Sequence, residues 1–184
     1  MGHPLTESLN GFIADEYEHE AVLRGHEVRV QKLGQMQFDP VLREGYKSIQ
    51  ALEPDLIQAQ ENLKWCNHWV LIYPVWWGSV PALLKGFLDR TLHPGFAFQS
   101  RKKGIGWDKL LKGRTAEIIA TSDAPSFWLR FAYLSSDFTT LRNATLRYCG
   151  FSPVRTRRID RVKFKTEDLI RKDVDRILRR IPKA

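Results

Sequence analysis

A chain of 184 residues with 43% hydrophobic side chains and six tryptophans is long enough to bury one core and too apolar to be disordered. No apolar run approaches the roughly 20 residues that cross a bilayer, and Met1-Gly2-His3-Pro4 carries neither the basic nor the apolar region of a secretory leader. One domain spanning 1–184, with no integral membrane segment and a cytoplasmic address, is therefore expected.

The net charge of +8 raises the question of nucleic acid. Residues 1–141 hold 15 Lys+Arg against 16 Asp+Glu, whereas residues 142–184 hold 14 against 5. The excess thus belongs to the last quarter of the chain and lacks the interleaved aromatics of a single-strand binding surface. It reads as a solvated basic face, with no nucleic-acid partner, ahead of the alternative of attraction to anionic cofactors or membrane surfaces. Cys66 and Cys149 stand apart without a partner pattern, so neither a disulfide framework nor a metal site is indicated, and both read as buried small hydrophobes.

In chain order, Thr6 to Arg24 reads as a helix, with Leu9, Ile13, Tyr17 and Ala21 at near-helical spacing and Gly25 as its stop. His26 to Val30 alternates as a strand does, and Pro54 to Lys64 suits a second helix with proline in its first turn. Trp69 to Tyr73 is a continuous apolar run, as in a strand buried on both faces of a parallel sheet. Pro81 to Arg90 is helical again. After a loop rich in Gly and Lys come a strand over Thr115 to Ala120, a helix over Asp137 to Tyr148 closed by Gly150, and a strand over Pro153 to Ile159. Thr166 to Arg180 is a terminal amphipathic helix with Leu169, Val174, Ile177 and Leu178 inward. The alternation predicts an α/β layer fold with a mostly parallel sheet.

Three segments carry chemistry. The opening Gly2-His3-Pro4-Leu5-Thr6-Glu7-Ser8-Leu9-Asn10 leads hydroxyls and backbone amides into a helix start, which suits an anion or an ordinary helix cap. The loop Tyr73-Pro74-Val75-Trp76-Trp77-Gly78-Ser79-Val80-Pro81 follows the most buried-looking strand, where open α/β sheets bind ligands. Its two indoles suit a flat heterocycle or, equally, a core or dimer-interface anchor. Thr121-Ser122-Asp123-Ala124-Pro125 is a second polar turn at the same sheet edge, or only a connection.

The ungapped run from Tyr73 to Arg90, followed by His93-Pro94-Gly95-Phe96-Ala97-Phe98, resembles the signature of the flavodoxin-like NAD(P)H:quinone oxidoreductases, the group containing DT-diaphorase and its bacterial relatives. The opening Gly2–Asn10 segment is similar to that family's first cofactor loop, and Gly113 to Ser122 and Tyr148 to Val154 fall in family-like positions, so nearly the whole chain is covered. The resemblance implies a flavodoxin-like, doubly wound parallel sheet and a bound flavin, FAD or FMN with FAD favoured. It also implies two-electron hydride transfer from NAD(P)H through the flavin to a quinone or similar small acceptor, and a homodimer. By position it puts His3, Ser8, Leu9 and Asn10 at the flavin's phosphate or adenylate side. Pro74, Val75, Trp76, Trp77 and Gly78 line its ring, and Thr121, Ser122 and Asp123 meet its pyrimidine edge. Phe96 and Phe98 shape the acceptor pocket, which a second subunit often completes in this family.

Two departures stand out. The glycine-rich turn with a following Tyr and His that some members place after the fourth strand is replaced by Asp123-Ala124-Pro125-Ser126-Phe127-Trp128, leaving Tyr133 as the stand-in for a proton relay. The family's first strand is missing ahead of Gly2, in an order 2-1-3-4-5 that places it inside the sheet; a start misassigned or trimmed by several residues is the expectation. Competing readings are a flavin-binding ancillary regulatory subunit of an ion-efflux system, an electron-shuttling flavodoxin, and an inactive product of truncation.

Overall fold

A computed structural model describes residues 1–48, 50–101 and 105–184. Three parallel strands, β1 (His68–Pro74), β4 (Thr115–Thr121) and β5 (Val154–Ile159), lie in the order β1-β4-β5. Each is followed by a return through helix or loop, the only way parallel neighbours can be joined. A two-stranded antiparallel hairpin, β2 (Phe98–Ser100) with β3 (Trp107–Lys109), sits apart from the sheet. The Gly- and Lys-rich loop expected from the sequence joins these two strands, and Lys102, Lys103 and Gly104 within it lie outside the described residues.

Strand alternation decides the layers. On one face Leu71, Tyr73, Ile118 and Ala120 pack with α2 (Pro54–Trp65), α3 (Ala82–Thr91) and the segment ending at Cys149. On the other, Ile72, Ile119 and Ile159 pack with α1 (Leu9–Leu23) and α7 (Glu167–Leu178). Helices thus cover both faces, which is why the Trp69–Tyr73 stretch of β1 reads as an unbroken apolar run.

The structure moves several expected boundaries. Helix α1 begins at Leu9 rather than Thr6, because the Ser8 side chain accepts from Gly11 N–H at 3.2 Å and caps it. The expected helix over Asp137 to Tyr148 is broken into α5 (Ser136–Thr139), a π-helical turn over Thr140–Leu146 and α6 (Arg147–Cys149). A further short helix, α4 (Ser126–Phe131), had no sequence signal of its own. Leu169, expected inside, is 48% exposed; Val174, Ile177 and Leu178 are buried. Cys149 is buried, whereas Cys66 is only half-buried, at the end of α2.

The stretch His26 to Val30 is not a paired strand. Met1 and Gly2 lie between its continuation and β1, with Gly2 N–H donating to Ile72 O at 2.7 Å, the Met1 amine to Gln31 O at 2.7 Å, and Leu33 N–H to Met1 O at 3.0 Å. Beyond those two residues the chain from Gly25 to Gln31 and strand β1 diverge around a cavity of about 930 Å³ lined by Tyr17, Val28, Val30, Trp69 and Val70. Without a neighbour within hydrogen-bonding reach, an alternating sequence has no ladder to join.

Helix α3 is held by a buried hub. The Arg90 guanidinium, 1% exposed, donates to Asp39 O, to Ala51 O at 2.8 Å and to the Glu53 carboxylate at 2.8 Å. These bonds fasten the long chain segment between Asp39 and Glu53 to the sheet layer, and offset the cost of burying the charge.

Candidate functional site

The strands point their carboxyl ends to one side, and there three loops meet. They are Gly2–Ser8 leading into α1, Val75–Pro81 leading from β1 into α3, and Ser122–Pro125 leading from β4 into α4. The large cavity between the Gly25–Gln31 segment and β1 is a different feature.

The loops are tied to one another at their bases. Asn10, 3% exposed, donates from Nδ2 to Thr121 Oγ1 at 3.1 Å, and Val75 N–H donates to Thr121 O at 2.8 Å. Asn10 and Thr121, both expected to touch the cofactor, are bonded to each other and so join the base of the first loop to that of the third. Ser122 Oγ accepts from Ala124 N–H at 3.0 Å, and the Asp123 carboxylate accepts from Lys163 N–H at 3.0 Å. The Ser122 hydroxyl is occupied within the loop and the Asp123 carboxylate by the segment after β5, which leaves the loop's backbone as the surface on offer.

The first loop ends at a helix amino terminus whose first turn holds no acidic side chain. Its unpaired amides and positive dipole end suit an anion. The loop also approaches the helix closely: a Cβ on Gly11 would lie 1.9 Å from Thr6 O. Ser8 is spent on the cap, donating to Leu5 O at 2.9 Å as well. His3 takes a hydrogen bond from Leu5 N–H on Nδ1 at 2.9 Å and sets its ring edge-to-face with Trp76, centroids 5.6 Å apart.

The second loop is a tight turn. Trp76 N–H donates to Ser79 O at 3.0 Å and Ser79 N–H returns to Trp76 O at 2.9 Å, while Trp77 and Gly78 take φ of 52° and 68°. Two central residues at positive φ define a turn of type I′, where glycine is at home and tryptophan is not. Neither indole is core: Trp76 is 43% exposed and Trp77 wholly so. That removes the core-packing reading of the pair and leaves a ligand or an interface. A Cβ on Gly78 would have nothing nearer than the Tyr133 ring at 3.9 Å, so the turn borders open space beside an aromatic face.

Tyr133 thus stands beside the turn, and the residues just beyond it, which carry no sequence signal for the site, hold the turn in place. Ser136 Oγ donates to Gly78 O at 3.0 Å. The next residue, Asp137, is buried; its backbone O accepts from Tyr73 OH at 3.0 Å and its carboxylate pairs with Arg158. The Arg158 guanidinium also lies over the Phe138 ring, 4.3 Å from its centroid. Burial, with the Asp137 charge beside it, pushes the Tyr73 phenol well above its ordinary value, so it remains a hydrogen-bond donor. No short-range pattern announces these partners, which are separated along the chain by 58, 64 and 21 residues.

Phe96 and Phe98 are not brought to this turn by their own chain. Lys64, at the end of α2, lies 5.9 Å from the Phe96 ring, and Phe98 packs on Tyr148 of α6 with centroids 5.0 Å apart. Both helices end where the next strand begins, so these phenylalanines lie toward the amino ends of the strands.

Among the described residues no cluster of three or more His, Cys, Asp or Glu side chains could hold a metal, and no helix is long and apolar enough to cross a membrane. The arrangement offers an anion-binding helix start, a backbone-lined turn and exposed aromatic faces at one edge. It fits a flat, hydrogen-bonding ring carrying a phosphate tail. His3, Leu9, Pro74, Val75, Trp76, Trp77 and Gly78, with the backbone of Ser122 and Asp123, are the residues that could hold such a group.

Comparison with known proteins agrees with this geometry. The chain is 29% identical over 174 residues to mouse ribosyldihydronicotinamide dehydrogenase [quinone], covering 81% of this chain and 74% of the mouse protein. It is 30% identical over 162 residues to an uncharacterised NAD(P)H oxidoreductase of Haemophilus influenzae, covering 84% and 78% respectively. A crystal structure of a Streptococcus mutans protein superposes with a TM-score of 0.82 at 28% identity, over 96% of this chain and 93% of that one. The model of the family described as having a flavodoxin-like fold matches residues 1–181, and the chain belongs to that family.

Proposed function

We propose that the protein is a flavin-dependent oxidoreductase that passes a hydride from NAD(P)H to a quinone or a similar flat acceptor. The relatives named as quinone dehydrogenases and NAD(P)H oxidoreductases support the reaction class. The observation that carries the reading is the Trp76–Ser79 turn, with its left-handed backbone and fully exposed Trp77 at the carboxyl end of the sheet. An exposed indole on a strained turn gains nothing from folding and is intelligible as a platform for a planar ligand.

The flavin, when bound, supplies the two-electron chemistry. The chain supplies position: backbone of the Trp76-Trp77-Gly78 turn along the ring, backbone of Ser122–Asp123 at its polar edge, and the α1 amino end for the phosphate. Amides fixed in place before charge develops favour a reduced, partly anionic ring. Tyr133, beside Gly78 and half exposed, is the candidate to hand a proton to the acceptor.

We extend the proposal to a homodimer in which Phe96 and Phe98 of one copy complete the acceptor slot beside the Trp76-Trp77 turn of the other. The exposed aromatic side chains of α4, which leads to Tyr133 beside that turn, support this: Phe127 is 64%, Trp128 52% and Phe131 75% exposed. Two unpaired cysteines suit a reducing cytoplasm.

The test is to titrate the purified protein with FAD and with FMN, then follow oxidation of NADH and NADPH with a soluble quinone. Saturable binding of one flavin and quinone-dependent turnover is the expected result. A folded protein that binds neither flavin, or binds without turnover, would overturn the reading.

A further inference from the structure

We propose that Ser136 is a positioning residue that holds the Trp77–Gly78 turn in its left-handed, ring-accepting conformation; this rests on the flavin reading of that turn. The turn's own two hydrogen bonds engage Trp76 and Ser79 only, leaving the Gly78 carbonyl to be satisfied from outside. Ser136 Oγ meets it at 3.0 Å.

The hydroxyl is itself held on a rigid base. Leu134 and Ser135 precede it at φ of 51° each, a second pair of left-handed residues facing the first. Ser135 N–H donates to Leu129 O at 2.8 Å and Ser136 N–H to Tyr133 O at 2.9 Å. Behind them, Asp137 is fastened from two strands at once, by Tyr73 of β1 through its backbone O and by Arg158 of β5 through its carboxylate. The sheet therefore fixes Asp137, Asp137 fixes Ser136, and Ser136 fixes the Gly78 carbonyl. Two strained turns, clasped by one hydroxyl that is exposed and buries nothing, mark a functional device in preference to a packing contact.

A double-mutant cycle separates this role from a general contribution to folding. Flavin dissociation constants are measured by titration of the apoprotein, followed by quenching of flavin fluorescence, with far-ultraviolet circular dichroism to check the fold. Ser136→Ala is expected to weaken binding roughly five- to tenfold, the loss of one net hydrogen bond, and Ser136→Thr, which keeps the hydroxyl, to stay within about twofold of the unmodified protein. In a Trp77→Asn background, where the residue tolerates positive φ and the turn needs no clasp, Ser136→Ala is expected to cost less than about twofold.

The inference is overturned if Ser136→Ala binds flavin as the unmodified protein does, or if its cost is the same in both backgrounds. In either case the unmodified protein still binds flavin, and the flavin part of the functional reading stands. An unmodified protein that binds no flavin removes that reading and this inference with it.

Discussion

A non-glycine residue held at φ 52°, as Trp77 is, lies uphill by roughly 1–2 kcal/mol, and an indole left wholly exposed recovers none of that through burial. A single net hydrogen bond, about 1 kcal/mol, is of the same size, so the turn is balanced closely enough for one partner to decide its population. Gly78 at φ 68° is the residue that makes the turn possible at all. Gly78→Val adds a β-branched side chain where the backbone disfavours one and points its Cβ toward the Tyr133 ring, 3.9 Å away. Its expected effect is a folded protein whose flavin affinity falls by roughly tenfold or more, measured by flavin titration alongside circular dichroism. Unchanged flavin content in a folded Gly78→Val protein would count against the assignment of this turn. Much of the turn was legible in the sequence, because two prolines, a glycine and two tryptophans after an apolar run are local signals. Ser136 and Arg158 were not, because a hydroxyl or guanidinium reaching across the fold leaves no trace in spacing.

The short helix α4 shows how an element can depend on a residue outside it. Its six residues bury only Leu129, and the Ser126 N–H at its start is satisfied by the Asp160 carboxylate beyond the end of β5, at 2.8 Å. Burial alone would raise the Asp160 pKa, but the hydrogen bonds from Ser126 and the Lys165 ammonium outweigh it and lower the pKa from 3.8 to about 2. The folded group is depressed, so the carboxylate contributes its full stability above the unfolded value and loses it as pH falls from about 4 to about 2. Asp160→Asn is expected to lower stability at pH 7 by roughly 1–2 kcal/mol. The urea-midpoint gap to the unmodified protein should stay constant down to about pH 5, then close toward pH 2; a gap that persists at pH 2 would refute the attribution. Elements with long apolar periodicity, such as β1 and α3, were read from the sequence to within a residue. Those fixed by remote partners, α4 and the β2–β3 hairpin, were not. The His26–Val30 alternation failed for the complementary reason, since strand character requires a neighbour and none pairs with it.

Across the whole molecule the charge excess of the last quarter resolves into structure. Arg155, Arg157 and Arg158 lie on β5, which among the described residues pairs only with β4 and so presents one open edge; Arg157 meets the buried Glu117 and Arg158 the buried Asp137. Paired arginines and a charged, exposed side chain at Arg155 guard such an edge against adding another strand. Exposed apolar side chains also gather along the stretch that leads from the third loop to Tyr133 and beyond, where Phe127, Trp128, Phe131 and Leu134 are all more than half exposed. Exposed aromatic side chains of this kind suit a protein partner, and in the dimer proposed above a second copy would cover them and carry its Phe96 and Phe98 to the acceptor slot. Phe131, 75% exposed, can be changed without opening the core. Phe131→Asp is therefore expected to keep the fold and its flavin but to halve the particle mass seen by light scattering, from twice 21.4 kDa to 21.4 kDa, while lowering kcat/KM for the quinone. An unmodified protein already at the single-chain mass, or a variant that dimerises as before with full quinone turnover, would place the acceptor slot within one copy and return the aromatic face to an unassigned surface.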